Sequence, residues 1–187
     1  MIPVVQLAQS LRYALNDMQE TRTSDFELLE VINQATQLLY TRMAEQHVMS
    51  GIKIKPLITD STGNAALPSD FVKIHQALMS DGSVAVPTSY PATYTGTYRI
   101  IGDTFYAPEG VYGLEYYYVP ARVKSLADNL DVPQAMASYI ERIALAIYGN
   151  NLETAETIIQ TCVRSLAARE VSHFADVGPV QVLGGRI

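Results

Sequence analysis

The feature that most constrains the fold is a change of pattern along the chain. Apolar residues recur at helical spacing up to about residue 47 and again from about residue 133. Between residues 53 and 119 this period disappears, and prolines and Gly/Asp/Ser clusters separate short runs of β-branched and aromatic residues. The sequence therefore predicts helices towards both ends of the chain and a β region between them.

Four helices are predicted from apolar periodicity and capping residues. The second has the clearest start, because Ser24 and Glu27 match a capping box. In the first, Arg12 falls on the polar side of the apolar stripe. The predicted ranges are Val4–Met18, Asp25–His47, Pro133 to about Tyr148, and Leu152–Phe174.

Six strands are predicted in the middle region. Asp81-Gly82 and Gly102-Asp103 lie at the centres of two tight-turn signals, so strands should meet there in hairpins. The predicted strands are Ile52–Thr59, Val72–Met79, Val84–Pro87, Tyr98–Ile101, Thr104–Ala107 and Leu114–Val119.

Tyrosine is concentrated in this β region, since eight of the 12 tyrosines lie between Tyr90 and Tyr118. In the last strand, alternation places Tyr116 and Tyr118 on one face and Tyr117 on the other. A strand with aromatic residues on both faces should be covered on both sides. One cover is the helices; the second is either a neighbouring subunit, which suits tyrosine, or the rest of a small sheet with this strand at its centre.

These patterns predict an α+β fold in which a helical domain like a four-helix bundle carries an inserted antiparallel β sub-domain. The helical domain comprises residues 1–50 and 121–175, and the β sub-domain comprises residues 51–120. Residues 176–187 form an extended C-terminal arm, because Gly178-Pro179 and Gly184-Gly185 cannot continue a helix. The arm is too apolar for an ordinary disordered tail, so we expect it to dock onto its own body or another chain.

Composition and motifs carry no signal for catalysis, a cofactor or a metal. The formal net charge is −6, from 13 Lys+Arg against 19 Asp+Glu, and the absence of a basic cluster disfavours tight wrapping of nucleic acid. The three histidines lack metal-ligand spacing, and Cys162 lies on an apolar helix face that is typical of an inert buried thiol. No signal peptide and no membrane-spanning run is expected. We therefore predict a protein that is not an enzyme.

Three phrases of the β region carry a resemblance to a known family. They are Ala66–Phe71 (ALPSDF), Tyr98–Phe105 (YRIIGDTF) and Leu114–Pro120 (LEYYYVP), and an Asp-rich link then leads to the helix at Pro133. In this wording and in its order of elements the chain resembles the head–tail connector proteins of tailed bacteriophages, also called adaptor or head-completion proteins.

The resemblance implies a structural virion protein of the phage neck, made in the host cytoplasm. It implies a homo-oligomeric ring, of twelve subunits, that joins the portal protein to a tail or nozzle protein and extends the DNA channel without binding DNA specifically. It implies no cofactor and no membrane contact. The residues expected in subunit contacts are Tyr112, Tyr116, Tyr117 and Tyr118. The residues of the arm expected to dock on the portal are Val180, Val182, Leu183 and Ile187.

Three other interpretations stay open at this point. The chain could form a gatekeeper or nozzle-binding ring further down the tail, with the same plan of helices and sheet. It could be a virion-associated peptidoglycan hydrolase, whose two carboxylates would lie far apart in the sequence. It could also be a soluble cellular α+β binding protein with no viral role.

Overall fold

The computed structural model describes residues 1–19, 22–92 and 94–176. Its four α-helices are α1 (Val4–Ala14), α2 (Asp25–Glu45), α3 (Ala137–Tyr148) and α4 (Leu152–Asp176). The predicted capping box of α2 is confirmed, because the Glu27 N–H donates to Ser24 Oγ at 3.3 Å and the Ser24 N–H donates to Glu27 Oε2 at 2.8 Å.

Helix α1 is shorter than predicted, and Arg12 is buried instead of lying on the exposed polar side of the helix. The helix ends at Ala14, and Asn16 then takes a left-handed conformation with φ of 54°. The turn that follows folds back over Arg12, which is only 5% exposed. Its guanidinium donates to the carbonyl of Thr23 at 2.9 Å and to Asp25 Oδ1 at 2.6 Å. The expectation that Arg12 lies on the polar side was therefore wrong, because long-range partners let a buried guanidinium be paired.

Strands occupy the predicted middle region and two short flanking sites. They are β1 (Ile2–Pro3), β2 (Ile52–Thr59), β3 (Asn64–Ala66), β4 (Phe71–Met79), β5 (Val84–Pro87), β6 (Thr97–Ile101), β7 (Thr104–Tyr106), β8 (Gly110–Tyr118) and β9 (Asn129–Leu130). The bounds of β2 and β5 are those predicted from the sequence. The short strands β1, β3 and β9 were not predicted, and β1 pairs with β9 outside the main sheet.

The other seven strands form one sheet in the order β2-β8-β4-β5-β6-β7-β3. The sheet nearly closes into a barrel, because the two strands at its ends are joined by a tight turn in which the Asp60 N–H donates to the Asn64 carbonyl at 3.0 Å. Most neighbours are antiparallel, but β5 and β6 run parallel, with Val86 opposite Thr97. Strand β8 lies between β2 and β4 along most of its length.

The predicted fold class, a four-helix bundle with an inserted antiparallel β sub-domain, is wrong. The chain is a mixed α/β protein in which four helices accompany a large seven-stranded sheet that nearly closes on itself. One hydrophobic cluster includes buried side chains from all four helices and from the sheet. The helices therefore do not form a bundle around a core of their own. The domain boundaries near residues 50 and 120 stay a prediction.

The reason for this error is that barrel closure is a non-local property. Each strand is short, and its own alternation shows that it is a strand but not which strand it pairs with. The parallel pairing of β5 with β6 and the long central position of β8 follow from contacts between distant residues. A helix pattern, in contrast, is complete within one segment.

Candidate assembly surfaces

The four tyrosines expected in subunit contacts are buried inside the subunit. Their exposed fractions are 5% for Tyr112, 2% for Tyr116, 1% for Tyr117 and 5% for Tyr118. All four lie on β8, between β2 and β4. Of the two covers considered for this strand, the central position in a sheet is the one that the structure shows. Any subunit contact on the barrel therefore falls on other side chains.

Two of these rings fill the interior of the barrel. Tyr112 packs against Phe105 with ring centroids 5.4 Å apart, and Phe105 stacks on Tyr98 at the same distance. Tyr116 packs against Phe71 at 5.7 Å. The Tyr112 hydroxyl donates to the Pro108 carbonyl at 3.0 Å, so its polar end is satisfied. Aromatic side chains thus form much of the barrel core.

The other two rings join the end of β8 to helix α2. The Tyr118 ring lies 5.1 Å from that of Tyr40, and their hydroxyl oxygens are 3.5 Å apart. Tyr117 lies on the opposite face of β8, where the rings of His47 and His75 approach it edge-on at 5.9 and 6.0 Å. These contacts fix the barrel against the helices.

A polar cluster lies beside these rings and is centred on Lys53. The Lys53 ammonium donates to Asp70 Oδ2 at 3.1 Å and to Asp131 Oδ2 at 2.6 Å, and it lies 3.9 Å from the centre of the Tyr118 ring. Asp70 also accepts a hydrogen bond from the Tyr116 hydroxyl at 2.9 Å. The cluster links β2, the start of β4, β8 and the segment before α3.

The protonation of this cluster favours a structural role. Burial disfavours the charge of Lys53, but hydrogen bonds to Asp131 and Asp70 outweigh it and raise the pKa of the ammonium. Burial, and then the hydrogen bond to Asp70, raise the pKa of the Tyr116 hydroxyl. A lysine that is held charged cannot act as a general base, and a phenol with a raised pKa is a poorer acid. The geometry therefore fits an ion-pair link between elements.

The described residues offer little for metal or thiol chemistry. Among the side chains that the structure describes (residues 1–19, 22–92 and 94–170), no group of three or more His, Cys, Asp and Glu could hold a metal ion. Cys162 is fully buried in the core, and burial raises the pKa of its thiol to about 12. A thiol in this state is a weak nucleophile.

A surface groove of about 470 Å³ lies between α2 and the helical hairpin of α3 and α4. Leu38 and Leu152 line it and are 45% and 64% exposed. Its charged groups already pair with each other, since Arg42 Nη2 lies 2.7 Å from Glu156 Oε1. The groove is therefore a shallow apolar surface with a paired polar rim.

The outward face of the sheet carries a second apolar surface. Cross-strand pairing places Pro56 beside Gly113, Gly113 beside Leu78, and Leu78 beside Val84, so one row crosses four adjacent strands. We call the apolar side chains of this face the outer patch: Ile54, Pro56, Ile58, Leu78, Val84, Val86 and Val111. Exposed fractions are 69% for Ile54, 71% for Ile58, 55% for Val84, 60% for Val86 and 52% for Val111.

Sequence reasoning did not identify the outer patch. The only signal was the alternation Ile-Lys-Ile-Lys at residues 52–55, which by itself favours isoleucine inside and lysine outside. In the structure Ile54 is instead exposed on the outer face. The ammonium of Lys53 forms ion pairs with Asp70 and Asp131. Because these apolar side chains are exposed together on one face, they need an explanation outside the subunit core.

The arm residues expected to dock on the portal (Val180, Val182, Leu183 and Ile187) lie outside the described residues. Among the helices that the structure describes, none is both long and apolar enough to cross a membrane. In the comparisons with known proteins, no family model matches the sequence and no curated protein matches it.

Proposed function

We propose that this chain is a structural virion protein of a tailed bacteriophage. It forms an adaptor ring in the phage neck, joins the portal to the tail or nozzle, and extends the channel through which DNA passes. The proposal assigns the chain no catalytic step and no cofactor.

The observation that carries the proposal is that the three phrases of the family resemblance contact each other. Asp70, from the first phrase, accepts a hydrogen bond from the Tyr116 hydroxyl of the third at 2.9 Å. The carbonyl of Asp70 accepts from the Val119 N–H at 3.0 Å. The Leu67 N–H donates to the carbonyl of Asp103, in the second phrase, at 2.9 Å. The phrases thus form one connected unit, as a shared structural motif would.

The charge of the chain is compatible with a DNA channel. The formal net charge is −6, and repetition of this charge around a ring multiplies its field. A lumen of this sign repels phosphate, so DNA slides through without tight binding.

The surface supports assembly as well. Charged residues make up 17% of the chain, and the outer patch exposes apolar side chains on four adjacent strands. Closed rings of identical subunits need a sizeable surface of this kind on every copy.

The test is to mix the purified protein with the candidate portal protein and to image the product by electron microscopy. A ring stacked on the portal is the expected result. A chain that remains a monomer and does not bind the portal in the mixture would refute the proposal. The portal alone and the chain alone, imaged at the same concentrations, show which component contributes each density.

A further inference from the structure

We propose that the outer patch is the surface on which a second copy of this chain docks. The inference specifies the subunit contact of the proposed ring and in that respect rests on the proposed function. The evidence for the surface itself comes from strand register, exposure and charge.

The size of the patch fits a protein partner. Its five side chains that are more than half exposed present on the order of 500 Å² of apolar surface, which is at the upper end of the roughly 300–600 Å² of the largest patch on a typical monomer. A standard interface covers about 800 Å² per partner, so this patch with its rim approaches that size. A small-molecule site would be concave, whereas this face is one side of a sheet.

The geometry favours docking on the face of the sheet over pairing along its edge. Strand β2 lies at one end of the strand order, so its outer edge could in principle accept another strand. Pro56 lacks an N–H for such pairing, and the exposed Lys55 next to it adds a charge. Both residues are of the kinds that protect edge strands. The apolar side chains of β2 are therefore available to a partner packed on the face.

Charge favours this face over the rest of the surface for contact between two copies of the chain. Two copies that each carry a net charge of −6 repel over most of their surfaces. Within the patch the charged group is Glu115, whose Oε2 accepts a hydrogen bond from Gln76 Nε2 at 2.7 Å. Electrostatic repulsion between two copies is therefore weakest at the outer patch, because its surface is apolar and the Glu115 carboxylate is hydrogen-bonded to a neutral side chain.

The centre of the patch is shaped for close packing. Gly113 has no side chain, and a Cβ placed there would lie 3.5 Å from Leu78 Cβ. Because Gly113 has no side chain, a partner can approach the β8 backbone closely between Pro56 and Leu78. A side chain of the second copy can pack against the backbone at this position, as interface anchors do.

The test measures self-association by sedimentation over a concentration series up to about 200 µM. Wild type, Ile58→Asp and Val84→Asp are compared with the control Phe26→Asp. Phe26 is 71% exposed, as is Ile58, but it lies in the first turn of α2, at the opposite end from the residues that contact β8. Circular dichroism of each variant verifies that the fold is retained.

We expect wild type and Phe26→Asp to associate equally, and each patch variant to raise the dissociation constant at least about 100-fold, because an unpaired carboxylate would be buried in an apolar contact. A wild-type chain that stays monomeric throughout the series overturns the proposal. Equal weakening by Phe26→Asp, or no weakening by the patch variants, overturns it as well.

The outcome is separable from that of the proposed function. If the wild-type chain binds the portal but does not self-associate through the patch, the adaptor role stands and this inference fails. If the patch mediates self-association but no portal binding occurs, the docking surface stands and the adaptor role fails. An assembly that stops at two copies supports the docking surface and contradicts the ring.

Discussion

Replacement of Tyr112 tests whether the tyrosines of β8 belong to the core or to a subunit interface. In the structure this ring is 5% exposed, contacts Phe105, and donates its hydroxyl hydrogen bond to the Pro108 carbonyl. If Tyr112 is a core residue, its removal destabilises the isolated subunit. If it is an interface residue, its removal weakens assembly and leaves the subunit as stable as before.

The magnitude follows from the two contacts. Replacement of a large buried aromatic side chain by alanine costs about 3–5 kcal/mol. The hydrogen bond to Pro108 contributes roughly 1 kcal/mol of this. We therefore expect Tyr112→Ala to lower the free energy of unfolding by about 4 kcal/mol and Tyr112→Phe by about 1 kcal/mol. For a chain of this size, about 4 kcal/mol corresponds to a fall of roughly 10 °C in Tm.

The assay is urea unfolding followed by circular dichroism at dilute protein concentration, where association is negligible. The matched control is Val111→Ala, at the neighbouring position of the same strand but on the outward face and 52% exposed. This control should change the free energy of unfolding by less than about 0.5 kcal/mol. A loss below about 1 kcal/mol for Tyr112→Ala would refute the assignment of Tyr112 to the barrel interior.

Three further predictions concern the helical side, the acid range and the arm. Asn33→Leu should cost about 2–4 kcal/mol of unfolding free energy, while the exposed Gln34→Leu should cost little. Asn33 exchanges two buried hydrogen bonds of 2.9 Å with the backbone of Val123, and urea unfolding measures their loss. The N–H and side chain of Ser24 hold the pKa of Glu27 below its usual 4.5, so the stability that this carboxylate contributes is present above pH 4.5 and is lost as the pH falls through the lower folded-state pKa. Glu27→Gln should therefore flatten the acid side of the Tm–pH profile; an unchanged profile would contradict the capping contribution. Truncation after Asp176 should abolish portal binding in a pull-down and leave Tm unchanged, whereas Gln181→Ser should still bind, and unchanged binding by the truncated chain would contradict the arm assignment.

Signals that act within a few residues were predicted correctly. The Ser24–Glu27 capping box formed because all its atoms lie within one helical turn. The Asp-Gly turn formed for the same reason: Gly82 has φ of 83°, which glycine adopts without strain, and the Met79 N–H donates to the Ser83 carbonyl at 2.8 Å. In both cases the sequence contains both partners of each interaction.

Features that depend on distant partners could not be predicted in the same way. Arg12 is polar by type, yet it is buried because Thr23 and Asp25 return to meet it. The aromatic residues on both faces of β8 correctly indicated cover on both sides at its Tyr116–Tyr118 end, but that cover comes from other parts of the same subunit, including Tyr40 of α2 and the rings of His47 and His75. Near-closure of the sheet likewise depends on pairings between strands far apart in the chain, so periodicity alone could not distinguish a barrel from an inserted sub-domain.

Residues on the two faces of β8 should have different effects: the inner face affects the stability of the subunit, and the outer face affects its association. Tyr112 and Leu114 point into the barrel, whereas Val111 points into the outer patch, and these positions are at most three residues apart. Changes on the inner face should therefore lower the free energy of unfolding at any protein concentration. Changes on the outer face should affect association alone, so they appear only as the concentration rises. If Val111→Asp destabilises the dilute monomer as much as Leu114→Ala does, the two faces have been assigned the wrong way round, and the docking surface loses its basis together with the barrel interior.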